Sequence, residues 1–190
     1  MDISSLIGTL MSSDSLQNIA SVAGTADKDV KDVLSAALPS LIDGAKEQCG
    51  DTATGFADAL LSHGKADTSD LASFIKNIDI EDGGKIIGHL LGGKKEEQLD
   101  GIAKSTGVTK AGTANILSLA APLLMSLLGQ QATSSAEDSS PSAISSIASS
   151  LLGNADIGSI LGSLLGGTSA TGTASSGGFL AGLLGKLFKK

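Results

Sequence analysis

The residues able to do chemistry are few. One cysteine, Cys49, and two histidines, His63 and His89, are the whole supply of thiol and imidazole. Cys49 with His63 would be the one conceivable nucleophile and base. No Asn or Asp motif accompanies them to orient the ring, so a half-buried structural thiol is the better reading. As metal ligands, His63 and His89 lack a second ligand at i+3 or i+4 in any zinc pattern. Gly88-His89-Leu90-Leu91-Gly92-Gly93-Lys94 fits G-x-x-x-x-G-K. A phosphate loop also needs a strand before it and Ser or Thr after the lysine; here Lys95 follows, and the glycines fall in or at the end of a helical pattern. Gly84, Gly88 and Gly92 read instead as one helix face that lets a neighbouring helix approach closely. The acidic runs Asp27–Asp32 and Asp79–Gly83 lack the ligand order of a calcium loop and read as capping and solvated charge. No catalytic residue, cofactor or metal is expected, and the chain reads as a non-enzyme.

Composition narrows the classes further. In 190 residues there are four Phe and no Trp or Tyr, the basic residues are all Lys, and the net charge is −7. Without Arg forks, stacking rings or cationic surface, nucleic-acid binding is excluded. With one Cys there is no internal disulfide framework. Hydrophobic residues are 41% and mean hydropathy is +0.24, enough apolar content for a buried core. Met1-Asp2-Ile3-Ser4 has no basic leader, and no apolar run approaches the roughly 18 residues of a membrane span. The expected location is cytoplasmic, with peripheral membrane attachment as the alternative.

The elements that must position any site are helical. Residues 16–48 match residues 99–131 without a gap, including Leu16/Leu99, Ile19/Ile102, Ala20/Ala103, Gly24/Gly107, Leu34/Leu117 and Pro39/Pro122. Leu16, Ile19 and Ala20 have helical spacing, and Gly24 follows at the position where positive φ is free of Cβ strain. A turn then leads to a second helix, whose acidic start (Asp27, Asp29, Asp32) suits the helix dipole. Its apolar stripe is Val30, Val33, Leu34, Ala37, Leu38, Leu41 and Ile42. Pro39 and Pro122 fall inside the stripe and should kink or split the helix in both copies. Between the copies, helices are expected over Thr54–Ser62, over Asp67–Ile78 (capped by Thr68 and Ser69) and over Asp82–Leu91. Nothing alternates with period two. Residues 1–131 are thus expected to be an all-α domain, a compact array of about seven helices with a duplicated helix–turn–kinked-helix unit.

Asp82-Gly83-Gly84-Lys85-Ile86-Ile87-Gly88-His89-Leu90-Leu91-Gly92, followed by Leu99, Ile102, Ala103, Gly107 and the run Leu117 through Pro122 to Leu124, resembles the bacterial YidB-like family, domain of unknown function 937. The Gly-Ser-Leu-rich tail with a short basic end resembles such proteins as well. The resemblance covers most of residues 1–131. It implies a compact helical array and supplies no catalytic residue.

Composition changes after Gln131. Residues 132–143 read as a linker and 144–190 as a Gly/Ser-rich tail with three short amphipathic segments. Gly158, Gly162 and Gly166 form one side of the second segment, a candidate face for helix association. In the third, Phe179, Leu180, Leu183, Leu184, Leu187 and Phe188 fill about half a helical wheel, with Lys186, Lys189 and Lys190 on the other half. This segment suits an anionic membrane surface or, equally, docking on the acidic domain. The leading expectation is a helical module for a protein partner or for self-association, and residues 1–131 are expected to fold without the tail.

Overall fold

A computed structural model describes residues 3–51, 53–136 and 140–153, with 159, 160 and 162. Among these residues there is helix and no strand. The helices are α1 (Ile3–Leu10), α2 (Ser13–Ala23), α3 (Asp27–Asp51), α4 (Ala53–His63), α5 (Leu71–Lys76), α6 (Ile80–Leu91), α7 (Lys95–Thr106), α8 (Lys110–Ser135) and α9 (Pro141–Gly153). A 3-10 turn, Gly92–Lys94, joins α6 to α7.

Short polar side chains fix where several helices begin. Ser12 accepts from the Ser15 amide (3.3 Å), Asp79 from the Glu81 amide (2.8 Å) and Thr109 from the Gly112 amide (3.1 Å). Each satisfies an amide that the helix itself cannot pair. Ends are as local: α2 stops at Gly24 (φ 69°) and α7 at Gly107 (φ 77°), both in the left-handed region where a Cβ is strained. Helices α3 and α8 start three residues beyond these glycines. Each runs through its proline, Pro39 or Pro122, without interruption, so the expected split does not occur.

The fifth helix is shorter than its sequence pattern. It begins at Leu71 under an Asp70 cap, not after Thr68 or Ser69, because those residues are engaged elsewhere. Thr68 Oγ1 donates to Gln130 Oε1 of α8 (3.1 Å), and the Ser69 amide donates to Asp67 (2.9 Å) in a local turn.

Helix α8 is the axis of the molecule and packs on α1, α2, α3, α4, α6, α7 and α9. From Ala111 to its end it carries no charged residue, as a helix surrounded on all sides must. By length and composition it could cross a membrane, contrary to the expectation that no such run exists; 72% of that apolar window is buried inside the protein. Asn115, Ser118 and Ser126 break the run as a string of letters without making it polar.

The array does not stop at Gln131. Residues 132–135 continue α8, and α9 packs on α3, α4 and α8 with Ile144, Ala148 and Leu152 buried. Ser145 Oγ, also buried, donates to the Cys49 carbonyl (3.0 Å). The linker expected over 132–143 and the boundary at 131 therefore need correction. Within α9, Ser142, Ser146, Ser149 and Ser150 face outward, while Ile144, Ser145, Ala148 and Leu152 face inward.

A groove between α4 and α6

Among the described residues, four glycines stand where a Cβ would collide with a neighbouring backbone. A Cβ at Gly83 would overlap the Ser118 carbonyl oxygen, one at Gly44 the Leu90 carbonyl oxygen, and one at Gly129 the Leu60 carbonyl oxygen; at Gly64 it would lie 2.7 Å from the Gly129 backbone. The glycine face expected at Gly84, Gly88 and Gly92 is not the contact. Space around Gly88 and Gly92 is open, and Gly84 meets only the Ser118 hydroxyl, at 3.6 Å. Gly83 seats α6 on α8, while Gly64 and Gly129 bring the end of α4 onto the same helix.

Helices α4 and α6 thus both lie on α8, yet they make little direct contact with each other. The gap is a groove. Its walls are single stripes: Phe56, Ala59 and His63 on α4, and Asp82, Ile86 and Leu90 on α6, at spacings of three or four residues. Its floor is Pro122 and Met125, one turn apart on α8. One half, about 310 Å³, is lined mainly by Phe56, Ala59, Ile86, Leu90 and Met125, with Gln48 and His89 at the edge. The other half, about 400 Å³, has Phe74, Ile78 and Pro122 beneath His63 and four carboxylates, Asp67, Asp70, Asp79 and Asp82. The two halves have no lining residue in common but follow one another along α4, α6 and α8. The acidic half is closed by α5 and its flanking loops, so the surface passes from an apolar end to an acidic end.

Three of these carboxylates also serve the fold. Hydrogen bonds from the Ser69 hydroxyl and amide hold Asp67 below the ordinary carboxylate range, and the Ser73 amide and hydroxyl do the same for Asp70. Asp79 caps α6. Among the described residues none of the four is in an ion pair; the lysines that pair do so at Asp32, Asp43, Glu81, Glu96 and Asp100.

The residues singled out from sequence fall as follows. Cys49 is buried beside α9, where loss of solvent pushes its thiol up to about 11, the opposite of an activated nucleophile. His63 lies at the acidic end of the groove and His89 at the apolar end, its carbonyl accepting from Gln48 Nε2 (3.2 Å). Gly92 ends a helix, not a strand, so the phosphate-loop spacing has no phosphate-loop backbone. Gly162 is exposed with open space around it. Gly158, Gly166 and the segment Phe179, Leu183, Leu184, Lys186, Leu187, Phe188, Lys189 and Lys190 lie outside the described residues. No group of three or more His, Cys, Asp or Glu that could hold a metal occurs among the described residues.

Sequence reasoning missed the groove itself. Phe56 and Leu90 belong to the buried core and Ile86 packs against it partly buried, so the same stripes serve core and groove. A one-dimensional pattern does not separate a wall from a core.

The architecture is that of an all-α protein built on a buried central helix, with a graded groove on its surface. The chain belongs to the bacterial proteins of unknown function grouped as DUF937, whose family model matches residues 5–131. No curated protein and no solved structure matches it.

Proposed function

We propose that this is a non-enzymatic helical binding module whose ligand is an amphipathic helix with a basic end, received in the groove between α4 and α6. The graded groove is the observation that carries this reading. An apolar half takes the apolar face of such a helix, and the carboxylates at the other half take its cationic end. The volumes suit several large side chains, and the helical walls hold the groove open without a ligand.

The reading is tested by panning a library of displayed helices against the chain ending at residue 178, with an Ile86→Asp variant as counter-screen. Recovered ligands should be basic and amphipathic, and should lose binding to the variant. Ligands indifferent to Ile86→Asp, or none at all, would refute it.

The same frame favours an origin by internal duplication. The glycine caps at 24 and 107, the helix starts at 27 and 110, and the prolines at 39 and 122 all recur at the offset of the sequence match. A second reading of the chain, attachment to an anionic bilayer through residues 179–190, rests on the sequence of that segment.

A further inference from the structure

The groove has a candidate occupant within the chain. We propose that residues 179–190 dock in cis along the groove between α4 and α6, with Phe179, Leu183 and Leu184 at the apolar end and Lys186, Lys189 and Lys190 among Asp67, Asp70, Asp79 and Asp82. This rests on the groove being a helix-binding surface and names what fills it.

Charge supports the assignment first. The segment carries three Lys and no acidic residue. The acidic half of the groove is lined by four Asp and no Lys, and none of those Asp is ion-paired among the described residues. Elsewhere on the described surface Asp32, Asp43, Glu81, Glu96 and Asp100 pair with lysines, while other unpaired acidic residues such as Asp14 and Asp58 do not line either half of the groove.

Polarity along the axis agrees as well. Within the segment the first half is apolar and the lysines cluster in the second half. Along the groove, Phe56 to His63 on α4 and Leu90 to Asp82 on α6 pass from apolar to acidic in the same direction. As a helix, twelve residues would measure about 18 Å; the α6 wall from Leu90 to Asp82 is about 12 Å, and the loop carboxylates Asp67 and Asp79 extend it.

Reach is ample. Sixteen residues lie between Gly162 and Phe179 along the chain, a contour of up to about 60 Å. That exceeds the width of a domain of this size, about 40 Å.

The absence of Trp from the chain makes the test direct. Leu184→Trp in the full-length protein places a single indole on the apolar face of the segment. Docking in cis gives blue-shifted emission that does not change with protein concentration. Ile86→Lys on the wall shifts it to the red, and so does Asp82→Lys, an exposed change outside the core that leaves the fold intact should Ile86→Lys disturb it.

Solvent-like emission in the parent overturns the proposal, as does blue emission indifferent to both groove substitutions. Concentration-dependent blue emission assigns the segment to a second copy, and emission that turns blue only with anionic phosphatidylserine vesicles assigns it to a membrane; either result overturns docking in cis. None of these failures touches the panning on the chain ending at 178, which judges the groove without the segment.

Discussion

Glycine has two opposite roles here, and the structure separates them by what stands opposite. Gly83 lies against the Ser118 carbonyl, a backbone atom that cannot swing away. Gly83→Ala should therefore destabilise the protein by about 1–3 kcal/mol through displacement of α6 from α8. Gly88, one turn further along the same helix, faces open space. There, Gly88→Ala should stabilise by about 0.5–1 kcal/mol, because the unfolded chain loses more freedom than the helix does. Paired thermal melts of the two variants check both signs, and similar shifts in the same direction would contradict the packing described. The histidines and the cysteine show the same dependence on surroundings. Cys49 is removed from solvent beside α9, whereas His63 and His89 line opposite ends of one groove.

At the scale of elements, α9 decides where the folded unit ends. Its inward side chains Ile144, Ala148 and Leu152 are buried, and its Ser145 closes on the α3 carbonyl at Cys49. A chain ending at Gly153 should melt cooperatively, less stable than the full protein only by what docking of residues 179–190 contributes. One ending at Gln131 should lose about 3–6 kcal/mol, from burial of Ile144 and Leu152 alone at about 1.5–3 kcal/mol each. Chemical denaturation of the two truncations measures this, and equal midpoints would return the boundary to residue 131. The prolines show a related lesson. Pro39 and Pro122 each cost a backbone hydrogen bond, yet α3 and α8 persist because the packing of a long apolar face outweighs a single lost bond.

For the whole molecule, charge is what distinguishes one end of the groove from the other. Surface pairs such as Lys110 with Glu96 and Asp100 (2.7 and 3.0 Å) lie in high dielectric and contribute little to stability. The same weakness sets the size of the effect expected in the groove. A synthetic peptide of residues 179–190 added to the chain ending at 178 should bind less tightly as salt rises from about 0.1 M to about 1 M, where the screening length falls from about 10 Å to about 3 Å. With three lysines at about 0.2–1 kcal/mol each, affinity should fall about 3- to 150-fold. Titration calorimetry across that range checks it, and salt-independent binding would place the lysines away from the carboxylates.

Much of the helical framework was legible in the sequence because its causes are local. Helical spacing in Leu16, Ile19 and Ala20, a glycine at the end of α2 and again at the end of α7, and the stripe from Val30 to Ile42 each act within one or two turns of chain. The family was legible for the same reason, since its signature is a pattern of small and apolar residues. What the tertiary structure alone decided depends on residues far apart in the chain. Thr68 is drawn away from capping by Gln130. Gly83 rather than Gly88 bears the helix contact because Ser118 lies opposite it. The Ser-rich stretch from 141 is a packed helix because α3 and α4 present apolar surface to it. The groove exists because α4 and α6 both settle on α8 at a distance from each other, a spacing set by backbone contacts at Gly64, Gly83 and Gly129 that no linear pattern of letters records.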